Sequence, residues 1–355
     1  MNYIPISPRP QTLTRCAIAL LALLVSLGVF AQAPPRADHH AHLQSPTAAR
    51  LLNEGAPRDP RAPVEGRQEK PSLASALIAQ LDAAGVHRAV ALSDAYRLGS
   101  PFVHIPHEAA AVDAENEWTL LQVRMYPGRL LGFCSVNPLR SYALAAIEHC
   151  AAIGLRGGLK LHLANADFRF GSAAQVTRLA SVFALADRLR MPILIHLRSN
   201  EVWDAERGVQ IFMKQVMPQA PHIPVQVAHL GGWGSYDRTT DTALSTFAAF
   251  CKQTPEPCRH LYFDISAVVL PPAFATAAPG SDERLLWDEQ KGFANGPQRL
   301  VANLRRIGLS HILFGTDWPN ATDTSYIAAL RRQLRLTPAE LNQLFANVAP
   351  YFPLR

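Results

Sequence analysis

The sequence lacks the marks of several large protein classes. Its 355 residues include only five cysteines, none paired as Cys-x-x-Cys, so a thiolate zinc site has no support. No Gly-x-Gly-x-x-Gly loop follows the first apolar run, which argues against a dinucleotide-binding doubly wound sheet. Charged residues make up only 17% of the chain, with no basic run and no alternation of Lys or Arg with aromatics. Nucleic acid is therefore a poor candidate partner. There is no low-complexity stretch, and no composition break divides the chain into two domains. What remains, with 48% hydrophobic residues, is the composition of a soluble enzyme.

The first 33 residues read as a segment outside the fold. Arg9 and Arg15 precede an uncharged apolar run from Cys16 to Phe30, and Ala31-Gln32-Ala33 fits a small-x-small cleavage pattern. The run is short for a membrane span, and an uncleaved anchor is the lesser reading. Cys16 precedes the run, whereas an acylated lipoprotein cysteine would follow it. The expectation is a cleaved Sec-type signal peptide over 1–33, a mature chain over 34–355, a periplasmic or secreted location and no stable membrane association. Removing Arg9 and Arg15 leaves 32 basic against 28 acidic residues, a net charge of +4. The mature length suits one large domain with a sizeable core, and a homo-oligomer is compatible with it.

Four cysteines follow the leader. Cys134 falls in the apolar run Leu130–Val136 and Cys150 on a helical stretch, and both read as small core residues rather than a pair. Cys251 and Cys258 bracket a short Pro-rich loop. In an exported protein that spacing predicts a local disulfide.

Eight short apolar runs recur along the mature chain: 37–43, 88–93, 130–136, 155–163, 192–197, 224–230, 261–266 and 311–317. Roughly 30–50 residues separate successive runs, room for one βα unit each. Helical patterns fill the gaps. Ser72–Ala84 ends at Gly85, Gln175–Arg190 behaves likewise, and Pro297–Ile307 ends at Gly308. Thr337-Pro-Ala-Glu340 has the form of a capping box with proline at the first helical position. Eight repeats of strand then helix predict an α/β fold, a single-domain (β/α)8 TIM barrel. Three connections are long, 44–71, 94–117 and 267–296. All follow strands and so belong to the catalytic face of a barrel.

Polar residues gather at the ends of these runs. His40-Ala-His42 ends the first, Lys160-Leu-His162 the fourth, His196-Leu-Arg198 the fifth, His229 the sixth and Asp317 the eighth. Residues two apart on a strand share a face, so His40 and His42 present both imidazoles together, as a divalent transition metal requires. A polar group after an apolar run is costly to bury alone, and a shared metal supplies the partner.

At these positions the chain resembles the amidohydrolase superfamily, most closely its "amidohydrolase 2" group of metal-dependent hydrolases and non-oxidative decarboxylases. The resemblance runs from Asp38-x-His40-x-His42 to Asn347-Val-Ala-Pro-Tyr351. It implies that His40, His42, His196 and Asp317 hold one divalent metal, zinc by preference, with His229 as general base or second-site ligand. Asp317 would also take a proton from the bound water. Lys160 matches the lysine that bridges two metals as a carbamate in binuclear relatives. Other relatives leave that lysine unmodified, and one metal per chain is the favoured reading, two the alternative.

His162 shares the face of Lys160 and is a candidate substrate contact. Arg198 is a candidate anchor for a substrate carboxylate, with a surface salt bridge as the alternative. Trp233 is an aromatic wall or loop packing. His39 reads as structural, and Asp264 as a hydrogen-bonding support rather than a ligand. The leading function is hydrolysis of a small ester, lactone or amide. Decarboxylation of an aromatic or related acid is second, and a catalytically silent ligand-binding barrel third.

Overall fold

In the computed structural model, which describes residues 33–55, 69–199 and 202–352, the eight apolar runs become the strands of one parallel sheet. They are β1 (Asp38–Leu43), β2 (Ala89–Ser93), β3 (Leu130–Ser135), β4 (Gly158–His162), β5 (Ile193–His196), β6 (Val225–Val227), β7 (Leu261–Asp264) and β8 (Ile312–Leu313), hydrogen-bonded in that order. The chain after β8 returns to β1. The N–H groups of His39, Asp317 and His42 donate to the carbonyls of Phe314, His40 and Trp318 at 2.8–2.9 Å. These bonds join the ends of the sheet into a barrel. Apart from Ala33, the leader segment lies outside the described residues, as does 56–68 within the first long connection.

Helices cover the sheet on its outer face, which is why the strands read as nearly continuous apolar runs. Their ends follow the local chemistry. The helix Ala74–Ala84 stops at Gly85, where φ is 70°, a conformation glycine adopts without a Cβ penalty. Helix Gly296–Ile307 stops at Gly308, and Pro338–Ala346 carries the full capping box between Thr337 and Glu340. Ala173–Leu189 ends instead on Arg190 in the left-handed region. The long connections hold short helices of their own, Pro46–Glu54, Ala95–Leu98 and Asp282–Gly292. Among the described residues no helix is long and apolar enough to cross a membrane.

Two layers of core result. The larger lies between sheet and helices. The smaller fills the barrel with Ala37, Val90, Leu92, Phe133, Leu194 and Ala228, and Phe352 packs against it. The guanidinium of Arg88, the residue before β2, lies 4.7 Å from the Phe352 ring centre. The C-terminal segment therefore closes the end of the barrel opposite the strand C-termini.

Three expectations need correction. The run 224–230 forms a strand only to Val227, because His229 and Leu230 turn into left-handed backbone at φ 52° and 56°. The run 311–317 is regular only over Ile312–Leu313, and the rest pairs irregularly with β1. Cys134 and Cys150 are not separate core residues but a disulfide, with Cα atoms 6.1 Å apart. A βα unit turns its helix back onto its own strand, so a strand residue and a helix residue 16 positions apart meet between the layers. Cys251 and Cys258 are bonded as expected.

Loop-closure entropy makes the first bridge worth about 3 kcal/mol and the second about 2 kcal/mol. Unreduced, denatured protein is expected to offer none of these four cysteines to alkylation, and the Cys134→Ala/Cys150→Ala variant to lose about 3 kcal/mol in urea unfolding. Two alkylated thiols at 134 and 150 in unreduced protein would contradict the bond.

Candidate metal centre at the barrel mouth

The strand alternation does place His40 and His42 on one face. His40 is fully buried, and its Nδ1 lies 3.1 Å from Asp264 Oδ2; Nδ1 of His42 lies 2.6 Å from Asp94 Oδ1. Ionised carboxylates only accept, so each Nδ1 carries the proton, and an imidazole that is neutral overall then turns an Nε2 lone pair inward. Burial keeps His40 in that form. At His42 burial is outweighed by Asp94 and Asp317, which raise the pKa, so its Nε2 gives up its proton to bind a metal. The two Nε2 atoms are 3.1 Å apart, and Asp317 Oδ1 lies 3.2 Å from one and 3.3 Å from the other. With both imidazoles neutral, three lone-pair donors face one another, an arrangement that a cation among them stabilises. Metal bonds of about 2.0–2.1 Å set ligand atoms about 2.9 Å apart at a right angle and about 3.3 Å apart in a tetrahedron. The observed spacings fall in that range, so the residues fit a divalent metal.

Asp317 is held to this task by its surroundings. Its backbone is left-handed at φ 60°, its N–H donates to His40 O at 2.8 Å, and its Oδ2 accepts from Asn320 at 2.9 Å. Such backbone strain in a non-glycine residue persists where the surrounding structure over-determines it. Burial alone would raise its pKa, but the imidazoles of His229, His40 and His42 hold it well below the usual carboxylate range. Burial, reinforced by Lys160, lowers His40 to about 3. His40 is thus neutral, the form that ligates.

The remaining residues singled out by sequence meet at the same mouth in different ways. Lys160 is buried, with Nζ 3.2 Å from His40 Nε2, and burial lowers its pKa to about 8. His229 stacks on His40 at 4.8 Å, and its Nδ1 donates to Ser266 O at 2.9 Å. His196 lies outside the tight triple of donor atoms. Its ring stacks on His162 at 3.9 Å and meets His229 and Trp233 edge-on at 5.2 and 5.5 Å. His196 Nε2 is nevertheless buried without a hydrogen-bond partner, as an empty ligand position would be. His162 Nδ1 accepts from Asn165 N, and its far face stacks on Tyr96. Arg198 is ion-paired with buried Asp237 at 2.6 Å, with its Nε left unpartnered, and Trp233 lies 5.7 Å from its guanidinium. His39 bonds Phe314 O and Ala349 N, a structural role.

Asp264 supports rather than competes. Its Oδ2 meets His40 and Gln226, and its Oδ1 accepts from the backbone N–H groups of His229 and Ser266 and from the Ser266 hydroxyl. Asp94 is the functional residue that sequence reading missed. It directly follows β2, the same strand-end position that marked the others, but it stood at the head of a long connection and drew no notice. Behind it Arg97 lies 3.6 Å away and is bridged in turn to Glu69. Carboxylates behind metal-binding histidines fix tautomer and ring orientation. Asp94→Asn is therefore expected to weaken metal binding about 10–100-fold in chelator competition. Wild-type affinity in that variant would reduce Asp94 to a loop contact.

The comparisons agree with this geometry. The sequence matches the family described as Amidohydrolase over residues 37–349, nearly the whole described barrel, and the chain belongs to that family. It is an enzyme of the amidohydrolase superfamily, whose members hydrolyse or decarboxylate with a divalent metal. No match is found among curated proteins. Solved structures share the fold. Amidohydrolase II superposes with TM-score 0.59 at 16% identity, over 88% of this chain and 97% of its own. A Burkholderia multivorans amidohydrolase with bound zinc gives 0.51 at 17%, over 88% and 96%. The 5-carboxyvanillate decarboxylase of Novosphingobium aromaticivorans, with bound manganese, gives 0.57 at 13%, over 91% and 98%.

Proposed function

We propose that this enzyme is a hydrolase of a small ester, lactone or amide, using one divalent cation, zinc by preference, held by His40, His42, His196 and Asp317. The observation that carries the reading is the convergence of His40 Nε2, His42 Nε2 and Asp317 Oδ1 within 3.1–3.3 Å of one another. A cation bound there would supply Lewis acidity and lower the pKa of water toward neutrality.

The chain's own groups do the rest. Asp317 accepts the proton of the attacking water, with Asn320 holding its second oxygen. His229, its Nδ1 tied to Ser266, presents Nε2 as a second base. Lys160 stays unmodified beside His40 and stabilises negative charge. Arg198 offers its unpartnered Nε to a substrate carboxylate while Asp237 fixes the guanidinium plane. Trp233 and His162 line the walls beside His196. We place the mature chain outside the cytoplasm, in the periplasm or secreted. Two disulfides and the leader's charge-then-apolar pattern support this, since disulfides persist in oxidising compartments.

The test is reconstitution of chelated enzyme with single metals, followed by a screen of lactones, esters, amides and aromatic acids. Metal-dependent cleavage with one solvent oxygen entering the product is the expected result. Release of CO2 from an aromatic acid without hydrolysis would replace this reading with decarboxylation, the activity named for the Novosphingobium neighbour. Metal binding without turnover of any class would leave a ligand-binding barrel.

A further inference from the structure

The C-terminal segment does more than close the barrel. Tyr351, one residue before the Phe352 plug, donates its hydroxyl to Gln226 Oε1. Gln226 is fully buried in the barrel on β6. Its Nε2 donates to Asp264 Oδ2 at 2.7 Å and reaches His39 O at 3.3 Å. Asp264 Oδ2 in turn takes the Nδ1 proton of His40 at 3.1 Å. An unbroken line of hydrogen bonds thus runs from the barrel floor to the imidazole that faces the metal centre.

We propose that Tyr351 is a positioning residue for His40, acting through Gln226 and Asp264. The proposal rests on the reading of His40 as a metal ligand. Direction matters along the line. Because Tyr351 supplies the hydrogen to Oε1, the amide must turn its NH2 toward Asp264. The reversed amide would set a carbonyl oxygen against a carboxylate oxygen. Donation into Oε1 also polarises the amide and strengthens the Nε2–H bond to Asp264. Without the hydroxyl, a buried carbonyl is left unpaired, and relieving that cost draws the amide away from Asp264. Asp264 and then His40 lose part of their fixed orientation. A purely structural Tyr351 would matter through its ring, which meets Phe133 edge-on at 5.4 Å. Phenylalanine keeps that contact.

The experiment loads the mature chain with Co2+ and measures its affinity by chelator competition and its d–d absorption spectrum. Carboxylates directly behind metal-binding histidines are worth about 10–100-fold in affinity. One step further back, Tyr351→Phe is expected to weaken Co2+ binding about five- to tenfold and alter the spectrum, and Gln226→Leu to do more of both. Phe352→Leu disturbs the same plug without touching the hydrogen bonds, and should lower the unfolding temperature while affinity and spectrum stay at wild type. Affinity within twofold of wild type and an unchanged spectrum in Tyr351→Phe would overturn the relay, as would equal affinity losses in Tyr351→Phe and Phe352→Leu. His40→Ala, measured alongside, separates the levels. Wild-type Co2+ affinity there would overturn the ligand assignment and the relay with it. Lost Co2+ in His40→Ala beside an unaffected Tyr351→Phe would overturn the relay alone.

Discussion

Asp317→Asn is expected to lower turnover by about 10²–10⁴-fold, the range typical of removing a general base, while the barrel stays folded. Asparagine keeps the size of the side chain and a carbonyl oxygen where Oδ1 stands, so part of the ligation survives. It loses the charge and the ability to take a proton. Metal content should therefore fall less than in a variant lacking His40. His229→Ala should also slow turnover but leave metal near the wild-type level, since in a one-metal site His229 serves as a base. Near-normal turnover in Asp317→Asn would remove Asp317 from the chemistry. Loss of one of two metals in His229→Ala would recast His229 as a ligand and make the site binuclear.

The second large effect is on metal content itself. His40→Ala or His42→Ala should strip most of the bound metal, and the double variant essentially all of it. Fold should survive, because the hydrophobic layers between sheet and helices are built without the metal. Asp264 keeps its partners Gln226, Ser266 and the His229 N–H after His40 is removed, so no bare buried charge results. Elemental analysis beside circular dichroism checks both halves of the expectation. Full metal occupancy and activity in the double variant would refute the site.

Much of this site was legible in the sequence because a parallel barrel sends every strand's C-terminal end to one face. His40, His42, Lys160, His162, His196, His229 and Asp317 were found by that rule alone, and the structure brings their side chains to one mouth. What the rule missed depends on tertiary partners. Asp94 satisfies the strand-end position, but only its 2.6 Å contact with His42 gives it a role. Gln226 sits mid-strand, where a polar side chain signals a buried hydrogen bond without naming its partner.

Arg198 depends on a tertiary partner in the same way. Its position left a substrate anchor and a salt bridge equally open, and its partner Asp237, 39 residues further on, is visible only in the fold. The Cys134–Cys150 bond escaped notice because both residues read as apolar packing. Only the return of the helix onto β3 sets them side by side. The helix caps at Gly85, Gly308 and Thr337 were legible because capping is local. The irregular ends of β6 and β8 were not, since nothing local in the sequence marks the left-handed backbone at His229, Leu230 and Asp317.

Everything proposed for this site depends on the first-strand histidines and Asp317 surrounding a metal. Anomalous diffraction from crystals of the enzyme, collected on either side of the absorption edge of the reconstituted metal, tests that arrangement directly. One strong peak per chain is expected within bonding distance of His40 Nε2, His42 Nε2 and Asp317 Oδ1. A metal-loaded active enzyme whose only anomalous peak lies away from these three atoms would contradict it.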